Sequence, residues 1–161
     1  MPRLRRMNSR YDLGEGQTLE FSREVVDTFL KFRQKPGRNE AGGILLGRVY
    51  PGGDVVIDWA TKPTVRDKAG PYFFDRSRAA SQRVVDRAWE ESSGERNYLG
   101  EWHSHPVPHP APSGRDRQMI RNMFRQSRLE VEFLFLVVIG GAENWVGVEN
   151  GRSLKRLKPL S

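Results

Sequence analysis

The longest uninterrupted apolar run in this 161-residue chain is Phe133-Leu134-Phe135-Leu136-Val137-Val138-Ile139. Seven residues fall far short of the roughly 20 that a bilayer requires. Bounded by Gly140-Gly141, the segment Val131 to Ile139 reads instead as a buried strand. A buried strand must be covered, so the rest of the chain has to supply partner strands and helices. Leu, Ile, Val and Phe make up roughly a quarter of the residues, above the level of disordered chains, so material for a core is present.

Those partners can be read from the pattern. Ser22 followed by Val25, Val26, Phe29, Leu30 and Phe32 predicts a capped amphipathic helix stopped by Pro36-Gly37. Ile44 to Tyr50 and Val55 to Trp59 predict a hairpin around Pro51-Gly52-Gly53-Asp54. Thr61 to Pro71 reads as a polar, mobile loop. A second helix is expected over Asp75 to Glu91, a strand over Tyr98 to His105 and a third helix over Ser113 to Arg128. A short strand, Trp145 to Glu149, follows the buried one. The order α-β-β-α-β-α-β-β predicts a single mixed α/β (α+β) domain, a sheet packed with about three helices. The expected organisation is a basic lead-in over residues 1–18, the domain over 19–150 and a basic tail over 151–161.

The net charge of +7 sits in the ends. Residues 1–10 hold four Arg and no acid, and residues 151–161 hold Arg152, Lys155, Arg156 and Lys158 and no acid. Removing these eight from 27 basic residues leaves 19 against 20 acidic ones, a net of −1 for the body. Nucleic-acid binding by the domain is therefore disfavoured. The absence of cysteine excludes disulfides, Cys-ligated zinc and a thiol nucleophile, and fits a cytoplasmic protein. No secretory signal or membrane segment is expected, because the Arg-rich start is not followed by an apolar stretch.

The chemistry concentrates in Glu101-Trp102-His103-Ser104-His105-Pro106 and Ser113-Gly114-Arg115-Asp116. On a strand, residues i and i+2 share a face, so His103 and His105 present two imidazoles side by side. Ser113 and Asp116 open the next helix and bring a hydroxyl and a carboxylate near the strand's end. Two imidazole nitrogens and one carboxylate oxygen form a three-ligand catalytic zinc site with its fourth position left for water. Zinc lowers the pKa of such a water to about 7. Ser113-x-x-Asp116 also reads as a helix capping box, and Ser113 can serve both purposes.

His103-Ser104-His105-Pro106, seven further residues after His105 and then Ser113-x-x-Asp116 resemble the signature of the JAMM (JAB/MPN-plus) zinc metalloproteases. The family's upstream glutamate, which opens a Gly-containing apolar strand, is matched by Glu40-Ala41-Gly42-Gly43-Ile44-Leu45-Leu46-Gly47. The resemblance covers about residues 20–150. It implies an MPN-type curved sheet between helices, zinc on His103, His105 and Asp116, Glu40 as general acid/base and Ser113 as a donor to the oxyanion. It also implies hydrolysis of isopeptide or peptide bonds after the C-terminal tail of ubiquitin-like proteins.

The segment Gly100 to Pro106 with its Pro-rich continuation to Ser113 further resembles the bacterial stand-alone JAB deconjugating isopeptidases of type II CBASS anti-phage operons. That resemblance implies a conjugate of a cGAS/DncV-like nucleotidyltransferase or of a ubiquitin-like modifier as substrate, and a functional link to an E1–E2 fusion protein. Precursor processing of ubiquitin-like or sulfur-carrier proteins is the alternative. A RadC-like DNA-associated JAB protein is disfavoured, because no helix-hairpin-helix module is evident.

Several residues stay open. Glu101 lies two residues before His103 and rivals Glu40 as proton carrier; spacing and composition do not choose between them. His109, in the Pro-rich loop, reads as exposed rather than as a fourth ligand. Arg117, Arg121, Arg125 and Arg128 read as a solvated helix face, and Trp59, Trp89, Trp102 and Trp145 as packing residues.

Overall fold

The computed structural model describes residues 7–127 and 129–160. In chain order the elements are β1 (Arg10–Gly14), β2 (Gln17–Phe21), α1 (Arg23–Lys31), β3 (Gly42–Val49) and β4 (Val55–Ala60). Two short strands, β5 (Lys68–Gly70) and β6 (Phe73–Asp75), precede α2 (Arg78–Glu91). Then come β7 (Asn97–Ser104), α3 (Gly114–Gln126), β8 (Leu134–Ile139), β9 (Asn144–Glu149), β10 (Leu154–Arg156) and β11 (Lys158–Pro159). A serine caps each helix: Ser22, Ser77 and Ser113 accept from the backbone N–H three residues on. No helix among the described residues is long and apolar enough to cross a membrane.

Nine strands form one mixed sheet in the order β10-β9-β8-β7-β3-β4-β2-β1-β11. The pairs β2–β4 and β7–β8 are parallel and the others antiparallel. Six of the seven residues of the apolar run form β8, and period-two geometry divides them between two cores. Phe135, Val137 and Ile139 join Val25 and Phe29 of α1 on the inner face. Leu134, Leu136 and Val138 join Ile120 of α3 on the outer face. The outer face of β3 meets α2 through Ile44, Leu46 and Ala88. A run of seven apolar residues is thus what a strand covered on both sides requires.

Strand β7 needs a correction to its own periodicity. Leu99 and Trp102 both point into the inner core, although three positions apart would place them on opposite faces. The register against β3 shifts where Leu45 pairs with Gly100 and Leu46 with Tyr98, a bulge that absorbs one residue. Gly100 has φ +154°, and a Cβ there would overlap the Phe135 backbone. After the bulge, Trp102 faces inward while Glu101 and His103 face the α2–α3 side.

The segments read as a basic lead-in and tail are largely structured from residue 10 onward. Tyr11, Leu19 and Phe21 of β1 and β2 are buried in the inner core. Leu154–Arg156 pairs with β9, and Lys158–Pro159, after the buried Leu157, pairs with β1. One short stretch therefore joins both ends of the sheet, which is nearly closed. Basic residues hid these strands because short, edge-lying β segments carry little apolar signal.

Thr61 to Pro71 is also less irregular than expected, since β5 and β6 make a hairpin about Pro71-Tyr72. Asp67 anchors its base by accepting from Thr64 N and Ser77 N. Arg121 is not simply solvated: its Nε lies 3.0 Å from the fully buried Glu149 carboxylate. Arg128 lies outside the described residues, and Trp89 is 41% exposed rather than core.

Gly100→Ala is expected to lower the free energy of unfolding by about 1–3 kcal/mol, because the added methyl meets backbone rather than a movable side chain. Urea unfolding of the two proteins measures it.

Candidate active site and metal centre

Four elements meet at one cleft of about 480 Å3, which Glu40, Phe74, His103, His105, Ser113 and Asp116 help to line. Strand β7 delivers His103 opposite Gly42, the first residue of β3. His105 follows the strand's end and stays in line because its N–H donates to Ile139 O, continuing the pairing with β8. Gly42 has no room for a Cβ, because the Phe74 ring of the hairpin lies against it. The small residue thereby lets the hairpin wall approach the two imidazoles.

Helix α3 opens with a complete capping box. Ser113 Oγ accepts from Asp116 N at 3.1 Å, and Asp116 Oδ2 accepts from Ser113 N at 2.8 Å. The box leaves further lone pairs on the carboxylate. Asp116 Oδ1 lies 2.9 Å from His103 Nε2, and Oδ2 lies 3.2 Å from His105 Nε2. Capping and ligand readings of Asp116 are compatible, since different lone pairs serve each.

His103 Nε2 is buried and, despite the short distance to Asp116, lacks hydrogen-bond geometry to any partner. An orphaned imidazole nitrogen carries a desolvation cost that a metal ion would remove. One donor atom each from His103, His105 and Asp116 fit within 4.8 Å of one another. The three residues fit a metal site, and His109 is not among them. It is mostly exposed, with Nδ1 3.1 Å from Glu143.

The electrostatics agree. Burial pushes the Asp116 carboxyl up, but the His103 and His105 imidazoles and the Ser113 N–H outweigh it and hold the group well below the usual carboxylate range. His105 is raised above the ordinary imidazole value by its hydrogen bond to Asp116, against the opposing effect of burial. Glu40 is raised by burial, which the neighbouring His103 and His105 only partly offset. Its Oε1 sits 3.8 Å from His105 Nε2.

Glu101 takes a different place. It is buried between α2 and α3, with Oε1 2.5 Å from Arg76 Nε and Oε2 accepting from Tyr98 OH at 2.8 Å. It does not line the cleft, whereas Glu40 does. Sequence reasoning missed the hairpin strand Phe73–Asp75 and Arg115, whose Nη2 lies 2.8 Å from Asp75 Oδ1 and whose guanidinium stands 5.6 Å from the Phe73 ring centre across the cleft mouth. The Gly70-Pro71-Tyr72 turn ahead of Phe73-Phe74 was the available signal.

Purified protein is expected to carry one divalent metal ion per chain, lost in His103→Ala plus His105→Ala and kept in Glu101→Gln; elemental analysis reads this directly. Metal ligands must be deprotonated. Because the His105 pKa is raised, its proton competes at higher pH than a free imidazole's would. Metal affinity should therefore begin to fall while the pH is still above 6.5, the ordinary imidazole value, and continue falling as the pH drops. Titration of the metal-free protein at several pH values measures this.

Comparison with known proteins places the chain. A family model described as prokaryotic homologs of the JAB domain matches residues 22–155. A CD-NTase/cGAS isopeptidase of Pseudomonas aeruginosa is 41% identical over 100 residues, covering 62% of this chain and 63% of that protein. A CD-NTase/cGAS isopeptidase of Vibrio cholerae is 32% identical over 124 residues, 76% of each chain. A probable metalloprotease of Sinorhizobium fredii is 27% identical over 128 residues, again 76% of each. The solution structure of protein DSY2949 from Desulfitobacterium hafniense superposes with a TM-score of 0.61 at 19% identity over 88% of this chain and 91% of that one, a likeness of fold. With three helices on a nearly closed mixed sheet and a family match spanning most of its length, the chain belongs to the prokaryotic JAB domain family.

Proposed function

We propose that the protein is a zinc-dependent isopeptidase that hydrolyses the bond between a protein's extended C-terminal tail and a lysine of its conjugation target. One observation carries the reading. A buried, unpartnered imidazole nitrogen, a second imidazole and a carboxylate converge in a cleft that also holds a buried glutamate. Two nitrogen donors among three favour zinc over the hard, oxygen-seeking cations. His103, His105 and Asp116 would hold the ion. When bound, it supplies Lewis acidity to the scissile carbonyl and to the attacking water.

The chain's own residues do the rest. Glu40, its carboxyl raised by burial, takes the proton of the attacking water as the oxygen bonds to the carbonyl carbon. It then returns that proton to the lysine nitrogen as the C–N bond breaks. Ser113 Oγ accepts from Asp116 N, which leaves its own proton free to donate to the oxyanion.

The relatives' names support a CD-NTase/cGAS-type nucleotidyltransferase as the released protein, and a ubiquitin-like modifier is the other substrate class. Conjugation by an E1–E2 fusion is then the opposing reaction, in the cytoplasm and in an antiviral CBASS setting. A strand edge supports the tail-binding mode. Among the described residues β6 pairs with β5 alone, and its Phe73, Phe74 and Asp75 line the cleft. An extended tail can add there as a third strand, its backbone paired and its side chains sorted by position.

Glu40→Gln should keep its metal and lower kcat by about 10²–10⁴-fold on a defined lysine conjugate, the span of proton-transfer catalysis. Activity retained in that variant but lost in metal-replete Glu101→Gln would reassign the proton carrier. A conjugate with a scrambled tail should be cleaved with kcat/KM at least about tenfold lower, and equal cleavage would point to a nonspecific peptidase.

A further inference from the structure

Glu40 belongs to no helix or strand, so no regular hydrogen-bond ladder holds it. Between α1 and β3 the backbone is tied by Arg38 N to Lys35 O and by Glu40 N to Gly70 O at 2.8 Å. Ala41 is joined to Ser104 twice. Its N–H donates to Ser104 Oγ at 2.9 Å, and its carbonyl accepts from Ser104 N at 2.9 Å.

Gln34 bonds to three of the segments around this glutamate. Its side chain is buried, and Nε2 donates to Arg38 O at 2.6 Å and to Pro71 O at 2.9 Å. Its Oε1 accepts from Ser104 Oγ at 3.4 Å. Both amide hydrogens and the amide oxygen are therefore committed, to the Glu40 loop, to the hairpin and to the strand that carries His103. Only a planar group with two donors and one acceptor meets these three demands together. A buried carboxamide is expensive unless it is bonded, and here both N–H donors and the oxygen have partners.

We propose that Gln34 is a positioning residue for the Glu40 carboxylate: it locks the Glu40 loop, the hairpin at Pro71 and the histidine strand at Ser104 into one frame. The inference rests on Glu40 acting as the proton carrier. The hairpin is held by two successive carbonyls, Gly70 by the Glu40 N–H and Pro71 by Gln34, so the wall that would receive substrate is tied directly to that carrier.

The test uses the zinc-loaded protein and Gln34→Met, which keeps the volume and removes all three bonds. A carboxylate displaced by about 1 Å costs on the order of 100-fold in rate. On a lysine conjugate, kcat should fall about 10- to 100-fold with KM within about twofold and zinc still stoichiometric. In the Glu40→Gln background the same substitution should change the residual rate less than about twofold, because the group it positions is gone. Equal losses in both backgrounds, or a change in KM alone, would overturn the proposal. Amide hydrogen exchange gives a readout independent of activity. Protection of the Glu40 and Ala41 amides should drop at least about tenfold while the β8 amides are unchanged. Unchanged protection would also overturn it. If Gln34→Met does not refold, Gln34→Ala, which admits water, is read in the same way; loss of the fold in both assigns Gln34 to general stability and sinks the idea. Should the wild-type protein cleave no conjugate, the proposed activity fails, and amide exchange still decides whether Gln34 holds Glu40.

Discussion

Strand β7 has to satisfy two requirements that a regular strand sets against each other. Leu99 and Trp102 must fill the inner core, while Glu101 and His103 must face the opposite side. Strict alternation that turns Trp102 inward and His103 outward would turn Leu99 outward as well. The extra residue, Leu99 between the paired Tyr98 and Gly100, resolves the conflict by resetting the phase along the strand. Phe135 presses on Gly100 from β8, so only glycine fits there. The site geometry follows from that reset, since the position of His103 sets where Asp116, Gly42 and Phe74 must come.

Apart from the candidate site itself, two groups of buried polar side chains brace this strand. Arg76, Glu101 and Tyr98 form a buried, mutually bonded group behind the histidine face. Burial pushes the Glu101 carboxyl up, and Arg76 opposes that shift. A buried ion pair of this kind contributes little net stability but makes loss of either partner costly. Its place is informative: Arg76 follows directly on β6, so the pair fastens the end of the hairpin to the strand that bears His103. On the other side Gln34 and Ser104 do comparable work for the segment before β3.

What could be read in advance tracks how locally each feature is encoded. The His103, His105 and Asp116 group was legible because its members lie at the end of one strand, just beyond it and in the first turn of the following helix, where spacing determines direction. Helices α1 and α3 were visible from a serine followed by apolar residues at helical intervals, and α2 from apolar spacing alone, which started it at Asp75, a residue of β6, instead of Arg78. Choosing between Glu40 and Glu101 was not possible from spacing, because a glutamate two residues before His103 is a plausible neighbour until the partner Arg76, 25 residues upstream, is known. The terminal strands and the β5–β6 hairpin were missed for another reason. They are two to five residues long and several are polar, so their pairing rests on backbone hydrogen bonds that leave no mark on composition.

The stretch from Leu154 to Pro159 bonds to β9 with its first half and to β1 with its second. During synthesis the ribosome releases β1 long before this segment exists, so two strand edges wait unpaired while the middle of the sheet assembles. Such edges invite pairing with other chains. A closure that joins the earliest strand to the latest also has high contact order, which slows the final step of folding. The nascent protein is therefore most vulnerable to aggregation just before its last strands arrive, and shielding by a chaperone would matter most in that interval.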